Sequence, residues 1–229
     1  MIAAVRVQQP GISQSDDWDG FGQRTTGSGT SVFVNAVVEP ENLLDFATRF
    51  KYQTAFYQLV LLAVQTGAGR AAVHDISEEV RTRTRVFSTG NASHVSQDVQ
   101  VQQVLGKASA QVYAAQATTL RAAAALQLAY ESRFAQDPVV ERAANIAAEL
   151  QSAQAQVVIA DLVLRATSDL FNALSASATS TTKAFDRHWR NARTAASHNP
   201  LIYKERIIGD WEINGTEPPY VWQIGAGSK

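Results

Sequence analysis

The densest collection of side chains able to do chemistry lies between Phe185 and Pro200, in the run Phe185-Asp186-Arg187-His188-Trp189-Arg190-Asn191-Ala192-Arg193-Thr194-Ala195-Ala196-Ser197-His198-Asn199-Pro200. Wound as a helix, the run puts Phe185, Trp189, Ala192 and Ala196 on one apolar face. Arg187, Asn191, Thr194 and His198 fall on a polar face, and Asp186 can pair with Arg190 one turn on. Two readings stay open on spacing alone. The run is a solvated amphipathic helix, the plainer of the two, or its polar face serves a site.

Two other places suit an anion. Arg83 and Arg85, in the basic link after Arg81, offer forked donors that match phosphate oxygens. Arginine at a helix C-terminus is also favoured by the helix dipole alone. The segment from Ser175 to Ser180, with Ser177 within it, supplies hydroxyls suited either to phosphate or to a turn. His74 beside Asp75 and His94 in a polar loop read as ordinary surface or satisfied residues. Glu78 and Glu79 are adjacent and cannot face each other across a site. There is no HExxH, GxGxxG or P-loop pattern. With no cysteine, thiolate catalysis, disulfides and Cys-ligated zinc are excluded, and no metal site is expected.

These residues need long helices to hold them. Five of 13 glycines fall in residues 11–29 and none between Gly106 and Gly209, while Pro138 is the only proline between Pro40 and Pro200. Residues 1–40 therefore read as strands and turns, with Ala3 to Val7 and Ser31 to Val38 as strands. Four-and-three spacing predicts helices over about 42–83, 97–134 and 138–174. The first carries a seam through Phe50, Thr54, Tyr57, Leu61, Val64, Ala68 and Ala71. Gly67 and Gly69 within it imply close helix contact. Asp137-Pro138 is a helix start. Thr181 or Thr182 caps a fourth helix to about Ser197, and a fifth covers about 200–212. The fold class is mainly α, an antiparallel bundle of four or five helices preceded by a short β segment.

The 20 basic and 21 acidic residues argue against a nucleic-acid binder held by bulk charge. No apolar run is long enough to cross a membrane, and the N-terminus lacks the pattern of a secretory signal. A cytoplasmic setting is the default expectation.

The run from His188 to Thr194, with Ser197-His198-Asn199-Pro200, resembles the C-terminal signature of flavin-dependent monooxygenases built on the acyl-CoA dehydrogenase fold, in particular the dibenzothiophene and sulfone monooxygenases. Trp18 to Arg24 with Thr26-Gly27-Ser28 is similar to the late β-domain of that family. Arg81 to Arg85 is similar to its basic turn, and Ser175 to Thr179 to its loop before the signature helix. The resemblance runs in order from residue 11 to about 218. It implies that residues 1–40 are the end of a β-domain, 41–215 a helical bundle domain and 216–229 a tail.

The resemblance further implies a homotetramer. Reduced FMN, or FAD as the alternative, is supplied by a separate flavin reductase and delivers oxygen to a small organic substrate, organosulfur or aromatic. Arg83, with Arg85 as the rival register, would hold flavin phosphate across a subunit boundary, with Ser175 and Ser177 adding hydrogen bonds. His198 would sit at the reactive edge and manage a proton. Arg190, Asn191 and Arg193 would brace that arrangement. Where related sequences carry histidine and aspartate, this one has Ala195 and Asn199. The N-terminal helical domain and the ring-embracing strands have no counterpart here, which marks the chain as the C-terminal half of such an enzyme, inactive alone. An acyl-CoA dehydrogenase would need a carboxylate base, and Arg193-Thr194-Ala195 offers none. A non-catalytic helical oligomerisation module is the third reading.

Overall fold

The computed structural model describes residues 1–222 of the chain. Four short strands open it: β1 Ile2–Ala3, β2 Ile12–Gln14, β3 Ser31–Phe33 and β4 Leu43–Leu44. They form two antiparallel pairs, β1 with β4 and β2 with β3, the latter in register Ile12 to Phe33. The two expected strands therefore do not pair with each other, and both are shorter than expected. Gln9 supplies the reason for the first. Its side chain accepts from the Val37 N–H at 2.9 Å and donates to the Val37 carbonyl at 3.1 Å, replacing a backbone ladder. Asn35, at φ +52°, ends the second by turning the backbone out of the extended region.

Five helices follow: α1 Gln53–Thr82, α2 Val99–Ser132, α3 Pro138–Asp169, α4 Asp186–Ser197 and α5 Leu201–Asn214. The starts obey local chemistry. Asp137 accepts from the N–H groups of Val139 and Val140, with Pro138 at the first helical position. Asp98 does the same for Gln100 at 2.9 Å. Helix α1 begins eleven residues after the expected 42, because residues 40–48 form two 3₁₀ turns around β4. Helix α4 starts after Thr181 and Thr182, since Ala184 at φ +48° interrupts any helix there. Gly215, at φ +68°, closes α5 by donating to the Trp211 carbonyl at 2.8 Å. Within the tail expected over 216–229, residues 223–229 lie outside the described residues.

Helices α1, α2 and α3 pack along their lengths, and α4 lies against α1 and α3. The α2 seam runs through Ala108, Val112, Ala115, Ala122, Leu126 and Ala129, all buried. Small side chains there let helix axes approach closely. Gly69 shares that approach, since a Cβ on it would sit 3.1 Å from Val112, but Gly67 faces open space and needs no glycine for packing. The expected α1 seam is displaced by one residue. Ala55, Gln58, Leu62, Gln65, Gly69, Ala72, Ile76 and Val80 face the core, whereas Tyr57 and Val64 are exposed and Leu61 is only half-buried. On α3, Leu150, Ala153, Ala160 and Thr167 are buried, Val139 in the first turn is exposed, and the packed face includes Asn145, Glu149, Ser152, Gln156, Ile159 and Val163.

Glu149 is a carboxyl inside that core. Its Oε1 accepts the Ala55 N–H at 3.1 Å, in the first turn of α1. Burial pushes its pKa from 4.5 up to about 7, and burial lowers that of Lys204, on α5, to about 8. The Lys204 ammonium lies 3.2 Å from the centre of the Trp222 ring. Because the folded pKa of Glu149 is raised, its contribution to stability is complete below pH 4.5 and is lost as pH rises toward about 7. Glu149→Gln keeps the acceptor for Ala55 and cannot ionise. The expected outcome is a stability difference between variant and parent that grows by ~3 kcal/mol across that window, measured by urea unfolding at stepped pH. A difference independent of pH would show that Glu149 stays ionised in the fold.

Candidate functional site

Helix α4 is fixed from three sides. On α1, Asp75 receives Arg187 and the His188 Nε2, the latter at 2.9 Å. His188 is buried, and burial lowers its pKa, so the neutral ring donates its Nε2–H to the carboxylate. Lys183 pairs with Glu79 next to it. From the front segment, Phe21 stacks on Trp189 with ring centres 5.8 Å apart. Gln23 donates its backbone N–H to Asn191 Oδ1 at 2.7 Å and its side-chain amide to the Asn191 carbonyl at 3.2 Å. Arg190 donates to the Phe21 carbonyl at 3.0 Å and to Asp186 at 2.9 Å. The third anchor is Asn199, held by Gln58 and Gln156 beyond the end of the helix.

Gly22 sits where the front segment meets α4 most closely. A Cβ there would lie 2.2 Å from the Arg190 carbonyl oxygen and 2.5 Å from Thr194 Oγ1. Gly22→Ala is expected to lift residues 16–30 off α4 at a cost of about 1–3 kcal/mol, seen as faster proteolysis in that stretch. Unchanged proteolysis would mean that the contact is not tight.

His198 is exposed at the border of two clefts. One, of about 650 Å³, is walled by Trp18, Phe21, Leu61, Val64, Thr194 and Ala195. The other, of about 540 Å³, is walled by Phe46, Arg49, Tyr57, Val60, Leu61, Asn199 and Trp222. The α1 residues expected in the core thus line these clefts instead: Tyr57, Leu61 and Val64 form an apolar wall that the bundle does not use. No carboxylate lines either cleft among the described residues. His198 Nδ1 is 3.4 Å from Asn199 Oδ1, and among the described residues its Nε2 has no hydrogen-bond partner.

The basic link lies elsewhere. Arg83 donates to Ser175 Oγ at 2.8 Å and to Ser177 Oγ at 3.1 Å, so these three expected partners do converge. Arg85 lines the same pocket as Arg83 and Ser175 but makes no hydrogen bond to either serine among the described residues; its guanidinium lies over Phe87, and its carbonyl accepts from Arg83. Arg193 also stands apart from His198, in a groove with Trp189, Asp161 and Glu205. Arg83 ends α1, and Leu61 lies on the same unbroken helix twenty-two residues earlier. At 1.5 Å per residue the two are about 33 Å apart. The serine–arginine cradle and the His198 clefts of one chain are farther apart than a single flavin mononucleotide spans.

Sequence reasoning passed over Asp75, Phe21, Gln58, Gln156 and Glu149. Asp75 was seen only as the neighbour of His74. The signal available was that His188 falls one turn before Ala192, on the side that must face α1. The buried glutamines carry no such signal, since their spacing matches apolar seam positions. Among the described residues there is no group of three or more potential metal ligands, and no helix is long and apolar enough to cross a membrane.

Comparison with known proteins gives this geometry its relatives. The chain is 28% identical over 228 residues to a dibenzothiophene monooxygenase of Mycolicibacterium goodii, covering 95% of this chain and 54% of that protein. It is 28% identical over 223 residues to a probable FMNH2-dependent monooxygenase, SfnC, of Pseudomonas putida, covering 95% and 55%. The crystal structure of FMN-bound TdsC from Paenibacillus sp. A11-2 superposes with a TM-score of 0.78 at 29% identity, covering 92% of this chain and 54% of that one. The chain spans about half the length of the curated relatives that it matches. The family model for the acyl-CoA dehydrogenase C-terminal domain matches residues 59–201, from α1 to the start of α5, and the chain belongs to that family.

Proposed function

We propose that this chain supplies the C-terminal, helical half of a two-component monooxygenase that uses reduced FMN to oxygenate a small organic substrate, organosulfur or aromatic. One observation carries the reading: His198 borders apolar clefts that hold aromatic and aliphatic walls but no carboxylate. A flat, largely apolar ring suits such walls. Proton abstraction beside a thioester, the alternative chemistry of this fold, would require a base that the clefts do not offer.

The donor set fits the other end of the cofactor. Arg83 presents a charged fork, with Ser175 and Ser177 hydroxyls beside it, as a phosphate requires. Their distance from His198 supports a reading in which the cradle of one chain and the clefts of another serve the same flavin in a homo-oligomer, which we infer to be a tetramer. Exposed Tyr113, Leu120, Leu128 and Phe134 on and just after α2 supply apolar surface for such packing. When bound, reduced FMN would supply the two electrons for dioxygen activation, with one oxygen atom going to the substrate and the other leaving as water. The chain's residues hold and shield it: Arg83 binds phosphate, Phe21, Leu61 and Val64 exclude water, and His198 Nε2 gives or takes a proton. A reductase delivers the reduced flavin from solution, in a cytoplasmic setting.

The test is oxygenation of dibenzothiophene by the full-length assembly with FMN and a reductase, under isotopically labelled dioxygen. One labelled oxygen in the product is expected. Reduction of a dye acceptor by an acyl-CoA, with no oxygenation, would overturn the reading. For the 229-residue chain alone, FMN titrated into it should bind weakly or not at all, because the chain spans only about half the length of its FMN-using relatives; tight stoichiometric binding would show that this helical half suffices for the cofactor.

A further inference from the structure

We propose that Gln58 and Gln156 are positioning residues that clamp the turn carrying His198, a role resting on the reading of His198 given above. Gln58, on α1, is 1% exposed, and Gln156, on α3, is wholly buried. Both occupy positions that face the core, where an apolar side chain would avoid the cost of burying an amide. Both reach the same residue. Asn199 Nδ2 donates to Gln58 Oε1 at 2.7 Å, and Gln156 Nε2 donates to the Asn199 carbonyl at 2.8 Å. Asn199 directly follows His198 and precedes Pro200, which has no N–H to give. The backbone bond at this point, from His198 N–H to the Ala195 carbonyl, is long at 3.4 Å. The turn is thus held by side chains from the two central helices rather than by its own backbone, and those helices fix where His198 leaves the surface.

Each glutamine uses only one side of its amide on this turn. Among the described residues, Gln58 Nε2 and Gln156 Oε1 are buried without a hydrogen-bond partner. Such groups are destabilising, so packing alone does not account for amides at both positions. The unused donor of Gln58 has a chemical consequence. If the amide turns over, Nε2 faces residue 199 and can donate to a carboxylate. The clamp therefore accepts either an amide or a carboxylate at 199, provided that residue 58 keeps both ends.

Hydrogen exchange of the 229-residue chain, followed by mass spectrometry, tests this. In Gln58→Leu/Gln156→Leu, peptides covering 195–203 should exchange about tenfold faster, with α2 peptides unchanged. Asn199→Asp should keep the parent's protection, as Gln58 turns its amide. Unchanged exchange in the double variant overturns the clamp, and so does an Asn199→Asp turn as loose as that of the double variant. Should the double variant not fold, side-chain amide protons of Asn199 and Gln156 in the parent decide: slow exchange supports the clamp, and exchange at the rate of free amides overturns it. The reading of His198 fails separately. If His198→Ala in the full-length assembly leaves oxygen transfer unimpaired, the clamp has no reacting group to position and the proposal falls through that reading, even where exchange has risen.

Discussion

Replacing His198 by alanine in the full-length, flavin-loaded assembly should lower oxygen transfer by about 10²-fold or more, while the affinity for FMN changes by no more than about fivefold. The asymmetry follows from where the ring stands. His198 is exposed at the mouth of two clefts, far along α1 from the Arg83 cradle, so its loss removes a proton carrier and little binding. Arg83→Ala should show the reverse pattern, weakened FMN binding with transfer preserved once the flavin is saturating. Stopped-flow turnover and equilibrium titration separate the two. A His198→Ala enzyme with full transfer would remove the imidazole from the chemistry.

Asp75→Ala should destabilise the chain by about 2–3 kcal/mol, or lower Tm by roughly 5–10 °C. The buried His188 ring loses its acceptor, and the half-buried Arg187 guanidinium loses its ion pair while keeping the Lys183 and Ala184 carbonyls. The figure is below that for a fully buried pair because Asp75 and Arg187 remain partly hydrated. Asp75→Asn keeps an acceptor for the ring and loses the ion pair, so a smaller loss is expected. Calorimetry of the two variants checks this, and equal, negligible shifts would show that α4 is held by its apolar face alone.

Residues 185–200 show how far sequence reaches. The helix, its chemistry-bearing polar side and the family signature could all be read from order and spacing. The direction in which each side chain points could not. Trp189, on the expected apolar face with the buried Ala192 and Ala196, stacks on Phe21 near the surface, while His188 takes a buried place beside Asp75. Helical periodicity fixes relative angles around an axis, but not which angle meets the neighbouring helix. A rotation of one residue in α1 converted an expected seam through Tyr57, Leu61 and Val64 into the wall of a cleft.

The same distinction holds for the two halves of the proposed cofactor site. Residue types alone were enough to pick out an arginine between basic neighbours, a serine-rich turn and a histidine before Asn-Pro. That Arg83 rather than Arg85 meets Ser175 and Ser177 depended on how the α1 end docks on the turn after α3. That this cradle lies about 33 Å from Leu61 depended on α1 running unbroken from Gln53 to Thr82. Local propensity and pattern determined the helices, the Asp137 cap of α3 and the family. The packing of those helices decided which polar groups are buried, because a hydrogen bond between residues more than a hundred positions apart, such as Asn199 to Gln58, exists only once the chain has closed on itself.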